Sequence, residues 1–169
     1  MSRLATISDP RLQQDAEALY EALGDLIRVY QFRDRDRICC HDLSITQCHA
    51  LEVLTLRGGL TLNEMAAELY LDKSTASRVV AALERKGYVE RTEHPEDGRA
   101  ILLEASGAGR SLYQQIHRQI IEQEKGLLSD FDSETRRSMT ELIRRLAAAA
   151  ADRVKASGGS CCVVPISGK

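Results

Sequence analysis

The chain has no tryptophan, and aromatic residues make up only 4% of its 169 positions. That scarcity argues against a stacking platform of the kind that grips single-stranded nucleic acid. Only three prolines interrupt the backbone. With Leu, Ala, Arg and Glu frequent, helix should dominate. Neither sign of charge prevails: 23 basic side chains face 25 acidic ones, a net charge of −2. A histone-like polybasic coat is thereby excluded, though a local basic patch is not. No run approaches the roughly 18–20 uncharged apolar residues that cross a bilayer. The opening residues, MSRLATISDPRLQQDAE, hold no apolar signal core. The chain is therefore expected to be cytoplasmic, with no membrane partner. Enzyme signatures are missing too: there is no CxxC at a strand-to-helix junction, no Gly-rich phosphate loop, no HExxH and no GxSxG. The expectation is a protein that is not an enzyme.

What is present is helical periodicity with clear punctuation. Asp9-Pro10 is a helix start, a capping side chain followed by proline at the first helical position. Apolar residues at Ala16, Leu19, Tyr20, Leu23, Leu26, Ile27 and Tyr30 then form one stripe. This helix is expected to fade in the charged run Arg33-Asp34-Arg35-Asp36-Arg37. Ser44-Ile45-Thr46-Gln47 and Thr61-Leu62-Asn63-Glu64 are capping boxes. They open helices expected over about 45–57 and 62–70. Asp72 caps a third helix from about Lys73 to Lys86, and Gly87 stops it. Short helices joined by short connections have the layout of a helix-turn-helix.

Past Gly87 the period changes to two. Tyr88–Glu93 and Ala100–Glu104 read as strands around the turn-rich segment His94-Pro95-Glu96-Asp97-Gly98-Arg99, which predicts a β-hairpin. Ser106 opens a long helix to about Leu128, and a last one runs from Asp132 or Ser133 to about Ala156. Ser157-Gly158-Gly159-Ser160 is a linker to a tail containing Cys161 and Cys162. The expected fold is mainly α with a small β-hairpin wing. Residues 43–105 form a winged helix-turn-helix domain, 1–42 and 106–156 a helical dimerisation region, and 157–169 a Cys-containing tail. The stripes at Leu19/Leu23/Leu26 and Leu142/Leu146/Ala150 exceed what one winged domain covers, which points to a homodimer.

A helix-turn-helix with a wing places its second helix in the major groove of double-stranded DNA. Lys73, Ser74, Thr75, Ser77 and Arg78 have the chemistry for that helix's leading end: hydroxyls that bond phosphates or bases, and a guanidinium suited to guanine. From Lys73 to Thr92 there are five cations (Lys73, Arg78, Arg85, Lys86, Arg91) against Glu84 and Glu90, a local +3 inside a molecule of net −2. Arg99 at the hairpin tip suits a narrow minor groove, with Asp97 placed to hold its guanidinium. Thr61, heading the first helix of the pair, is counted with this DNA-contacting set. The competing reading of a different class is a winged helix that binds another protein and never touches DNA.

The segments LTLNEMAAELYLDKSTASRVVAALERKGYVER and HPEDGRAILLEASGAG resemble the multiple antibiotic resistance regulator (MarR) family of winged-helix transcription factors, over about residues 10–155. Asp97-x-Arg99 followed by a strand and the helix start Ser106-x-x-Gly109 is the most specific part. The resemblance implies a homodimer joined through the first and last two helices, with two winged lobes on a pseudo-palindromic operator. It also implies repression relieved by a small ligand, by cysteine oxidation or by metal. By match to the motif, Ser74, Thr75, Ser77 and Arg78 face the major groove and Arg99 the minor groove.

Five cysteines in a reducing compartment read better as thiols than as a disulfide framework. Cys39-Cys40-His41 follows the first helix, Cys48-His49 lies a turn inside the second, and Cys161-Cys162 ends the linker. Candidate metal ligands are Cys39, Cys40, Cys48, His49, Cys161 and Cys162. Thiolates suit a thiophilic effector such as As(III), Hg(II), Cu(I) or Zn(II). Against this stand incidental thiols and, for Cys48, a small buried apolar filler. Two other inputs compete: an oxidant that forms a disulfide, and a planar aromatic ligand for which the cysteines are irrelevant. His94 and His117 carry no signal.

Overall fold

A computed structural model describes residues 9–38, 41–93 and 100–156. The hairpin tip with His94, Asp97 and Arg99, the pair Cys39-Cys40, and the tail with Cys161 and Cys162 lie outside the described residues. The order is α1 (Pro10–Ile38), α2 (Ile45–Arg57), α3 (Leu62–Glu68), α4 (Lys73–Arg85), β1 (Val89–Glu93), β2 (Ile101–Ala105), α5 (Gly107–Leu128) and α6 (Ser133–Ala156). It is a mainly helical winged helix-turn-helix architecture, as the sequence led us to expect. Among the described residues no helix is long and apolar enough to cross a membrane.

Local chemistry sets most of the boundaries. Ser44 and Gln47 form a reciprocal capping box at α2, and Thr61 and Glu64 form one at α3. The Asp72 carboxylate accepts the Thr75 N–H at the head of α4. The Asp132 carboxylate likewise accepts the Glu134 and Thr135 N–H groups at the head of α6. Gly87 turns the chain at φ 73° between α4 and β1, a conformation that favours glycine.

The expectation for α1 needs correcting at its end. The helix does not fade in the charged run but continues to Ile38. The reason is tertiary. Arg33 Nη1 donates to Glu124 Oε1 on α5 at 2.5 Å, the Tyr30 hydroxyl donates to Glu124 Oε2 at 3.1 Å, and the Arg33 guanidinium stacks 4.0 Å over the Tyr30 ring. This anchoring outweighs the modest helix penalty of the aspartates in the run.

The core lies in the winged part. Leu51 and Leu54 from α2, Met65 from α3, Val80 and Leu83 from α4, Leu103 from β2 and Ile116 from α5 are almost wholly buried. Burying such a side chain stabilises by about 1.5–3 kcal/mol. The hairpin pairs β1 antiparallel to β2, with Val89 opposite Ala105 and Arg91 opposite Leu103. Leu60 bridges to Leu103 through both backbone bonds, 3.1 and 2.7 Å, which ties the wing to the segment before α3. By contrast, α6 has no buried residue. Leu19, Leu26 and Ile27 on α1, with Leu142 and Ile143 on α6, remain exposed.

Candidate nucleic-acid interface

The α4 helix is built with two faces. Ala76, Val80 and Leu83 face inward and are fully buried. Lys73, Ser74 and Arg78 are exposed, while Thr75 and Ser77 are half-buried beside them. Helical spacing makes this inevitable: residues four apart share a face, so one apolar row in the core leaves Ser74 and Arg78 together outside.

The leading end of α4 is organised by a chain of hydrogen bonds. The Thr75 hydroxyl donates to Asp72 Oδ2 at 2.7 Å, and Arg78 Nη2 donates to the Thr75 hydroxyl at 3.0 Å. The Thr75 N–H also donates to Asp72 Oδ1 at 2.8 Å. Asp72 is held below the usual carboxylate range, first by the Thr75 hydroxyl, then by the Thr75 and Ser74 N–H groups and Arg78. The cap residue therefore aims a guanidinium. Arg78 uses one of its five N–H donors on Thr75, and a bidentate contact to a base edge needs only two. Thr61, in the DNA-contacting set on sequence grounds, has its hydroxyl on Glu64: it donates to Oε2 at 2.8 Å and accepts the N–H at 3.3 Å.

The five cations of the basic stretch are not equivalent. Lys86 Nζ donates to the Asp42 carbonyl and lies 3.3 Å from Asp42 Oδ2 and from Gln47 Oε1. Arg91 donates through Nε and Nη2 to the two carboxylate oxygens of Glu84, at 2.5 and 3.1 Å. Both are ties between elements. Sequence reasoning missed them because neither charge in isolation says which partner the fold brings near.

The thiol candidates separate. Cys48 is buried in the core, while its neighbour His49 is exposed. Adjacent helix residues point about 100° apart, so this pair does not converge on one ion. Among the described residues no group of three or more His, Cys, Asp or Glu side chains is arranged to hold a metal. His41 Nε2 lies 3.3 Å from Gln119 Oε1 instead. Cys48 sits near Tyr113, whose hydroxyl donates to Glu52 Oε1 at 3.2 Å and whose ring lies 5.6 Å from that of His117. The Tyr113 hydroxyl is pushed up to about 12, first by burial, then by the Glu52 carboxylate and, last, by Cys48.

Comparison with known proteins agrees with this geometry. A model of the MarR family matches residues 41–100. A helix-turn-helix-type transcriptional regulator of Mycobacterium leprae is 32% identical over 111 residues, 66% of this chain and 73% of that protein. The helix-turn-helix-type transcriptional regulator YxaD of Bacillus subtilis is 27% identical over 134 residues, 79% of this chain and 94% of that protein. A MarR family protein from Bacillus stearothermophilus superposes with a TM-score of 0.75 at 20% identity, covering 82% of this chain and 96% of that one. With the wing tied behind α4 and Arg78 held at its outward face, the chain belongs to the MarR family of DNA-binding helix-turn-helix transcriptional regulators.

Proposed function

We propose that the protein works as a homodimeric repressor whose two winged lobes read a pseudo-palindromic operator. The observation that carries this reading is the Arg78–Thr75–Asp72 chain, which presents a pre-aimed guanidinium on the exposed face of a helix whose opposite face, Ala76, Val80 and Leu83, is buried in the core. Lys73, Ser74, Thr75, Ser77 and Arg78 enter the major groove. Asp97 and Arg99, at the wing tip, serve the minor groove. The dimerisation region is α1, α5 and α6, whose uncovered Leu19, Leu26, Leu142 and Ile143 support it. Pairing through these helices spaces two lobes about 34 Å apart, one turn of duplex.

The test is fluorescence anisotropy on a duplex selected from a random pool, repeated over a salt series. Arg78→Ala should cost about 1–3 kcal/mol on the selected duplex and much less on random DNA. Sedimentation should show a dimer that Leu142→Arg dissociates, with loss of operator affinity. Binding that ignores salt, or none at all, would favour a protein-binding winged helix.

For the input, a thiophilic metal or metalloid is the reading carried from the sequence. Such a site would draw on Cys39, Cys40 and Cys48, with or without Cys161 and Cys162; Cys48 is enclosed in the core, so its part in the site requires the α2 packing to open. An effector there must favour one dimer arrangement by about 3 kcal/mol to shift the DNA-competent population a hundredfold. Native mass spectrometry of the reduced protein with Zn(II), Cu(I), Hg(II) or As(III) would show stoichiometric uptake. No uptake, with release from DNA by peroxide, would assign the input to oxidation. Neither response would leave an aromatic ligand.

A further inference from the structure

We propose that Glu84 and Arg91 are positioning residues that set the wing against the recognition helix, and that Arg91 is not one of the phosphate-contacting cations of the basic stretch. Glu84 lies in the last turn of α4 and Arg91 is the third residue of β1, so the pair spans the Gly87 turn. The contact is two-pronged, Nε to Oε1 at 2.5 Å and Nη2 to Oε2 at 3.1 Å. A forked arginine–carboxylate contact fixes the relative plane of its partners as well as their distance. The Glu84 side chain is 27% exposed and that of Arg91 46%, so the carboxylate is the more shielded partner. Glu84 raises the pKa of the Arg91 guanidinium, chiefly through the hydrogen bond.

Placement gives the tie its leverage. Arg91 stands opposite Leu103, the buried residue of β2 that is bridged to Leu60. Beyond it, among the described residues, Thr92 with Leu102 and Glu93 with Ile101 continue the ladder. The described part of the wing is thus held on one strand by Leu103 and on the other by Glu84. The same end of α4 is held on its opposite side by Lys86, which donates to the Asp42 carbonyl. Breaking the Glu84–Arg91 contact releases β1 to rotate about Val89 and changes the angle of the β1–β2 ladder to α4. The effect on DNA rests on the DNA-reading role proposed above; the effect on the hairpin does not.

The experiment compares Glu84→Gln, Arg91→Gln, the double variant and the charge swap Glu84→Arg/Arg91→Glu. Each is measured for affinity to the selected duplex over a salt series, for hydroxyl-radical footprint, and for amide hydrogen exchange without DNA. Removing the Glu84 charge should ordinarily tighten binding to a polyanion. The tie predicts the reverse: Glu84→Gln and Arg91→Gln each weaken binding by roughly three- to tenfold, toward the lower end of the coupling between contacting residues. The double variant is no worse than either, and the charge swap restores most of the loss. Protection over the minor-groove flanks fades, the salt slope stays constant, and amides of residues 92–93 and 101–102 exchange faster. Tighter binding by Glu84→Gln, or a salt slope reduced by about one in Arg91→Gln, makes Arg91 a phosphate contact and overturns the proposal. Unchanged exchange in both single variants overturns it as well. Faster exchange in a protein that binds no DNA keeps the tie and discards the DNA-reading role.

Discussion

Gly109 lies so close to the carbonyl of Tyr88 that a methyl group in place of its hydrogen would stand 2.1 Å from the oxygen. This contact docks the start of α5 onto the turn between α4 and β1. Ser106 completes the seam: its N–H donates to the Tyr88 carbonyl at 3.0 Å, its hydroxyl donates to the Gly87 carbonyl at 2.7 Å, and the same hydroxyl accepts the Gly109 N–H at 3.0 Å. The start of α5 is thereby joined to the end of α4 and the head of β1.

Gly109→Ala should therefore destabilise, although alanine is the better helix former by about 1 kcal/mol. The Tyr88 carbonyl is backbone and does not rotate away, so the overpacking cost, about 1–3 kcal/mol or more, prevails. Gly107, two residues earlier, faces open space, and Gly107→Ala should be neutral or slightly stabilising. Urea unfolding of the two variants checks this; shifts of the same sign and size would remove the steric account.

Alkaline pH should weaken the fold through Tyr113. Its hydroxyl is pushed up to about 12 from an ordinary value near 10. The folded state thus holds this proton more tightly than the unfolded one. The resulting stability is fully present below pH 10 and is lost as pH rises from there through about 12. Unfolding free energy followed from pH 9 to 12 should fall more steeply for the natural chain than for Tyr113→Phe. Their difference in absorbance at 295 nm should rise with a midpoint near 12. Parallel stability curves would contradict the assignment.

Cys48 should behave as a core residue. Iodoacetamide followed by peptide mapping should leave it unmodified in the folded protein and label it after denaturation. Cys48→Ser, which brings a hydroxyl into the core, should cost about 1–3 kcal/mol of stability, with Cys48→Ala costing less. Both should retain operator affinity once folded. Rapid alkylation in the native protein would return Cys48 to the effector site.

The division between what was legible in the residues and what was not follows the range of the interactions. Ser44 with Gln47, Thr61 with Glu64, and Asp72 with Thr75 each close a cap across three residues. Helix starts are therefore decided by short-range chemistry, and they were readable along with the apolar rows and the wing. The leading end of α4 was legible for the same reason, since Asp72, Thr75 and Arg78 all lie on adjoining turns. The end of α1 was not, because Arg33 is anchored by Glu124, 91 positions away. Nor could the basic stretch reveal that Lys86 is engaged by Asp42 and Gln47 and Arg91 by Glu84. Cys48 and His49 are adjacent in the chain, yet packing α2 against α5 sends one into the core and leaves the other in solvent. Helical spacing assigns residues to faces, but only the packed neighbour determines which face is covered and which charge finds a partner.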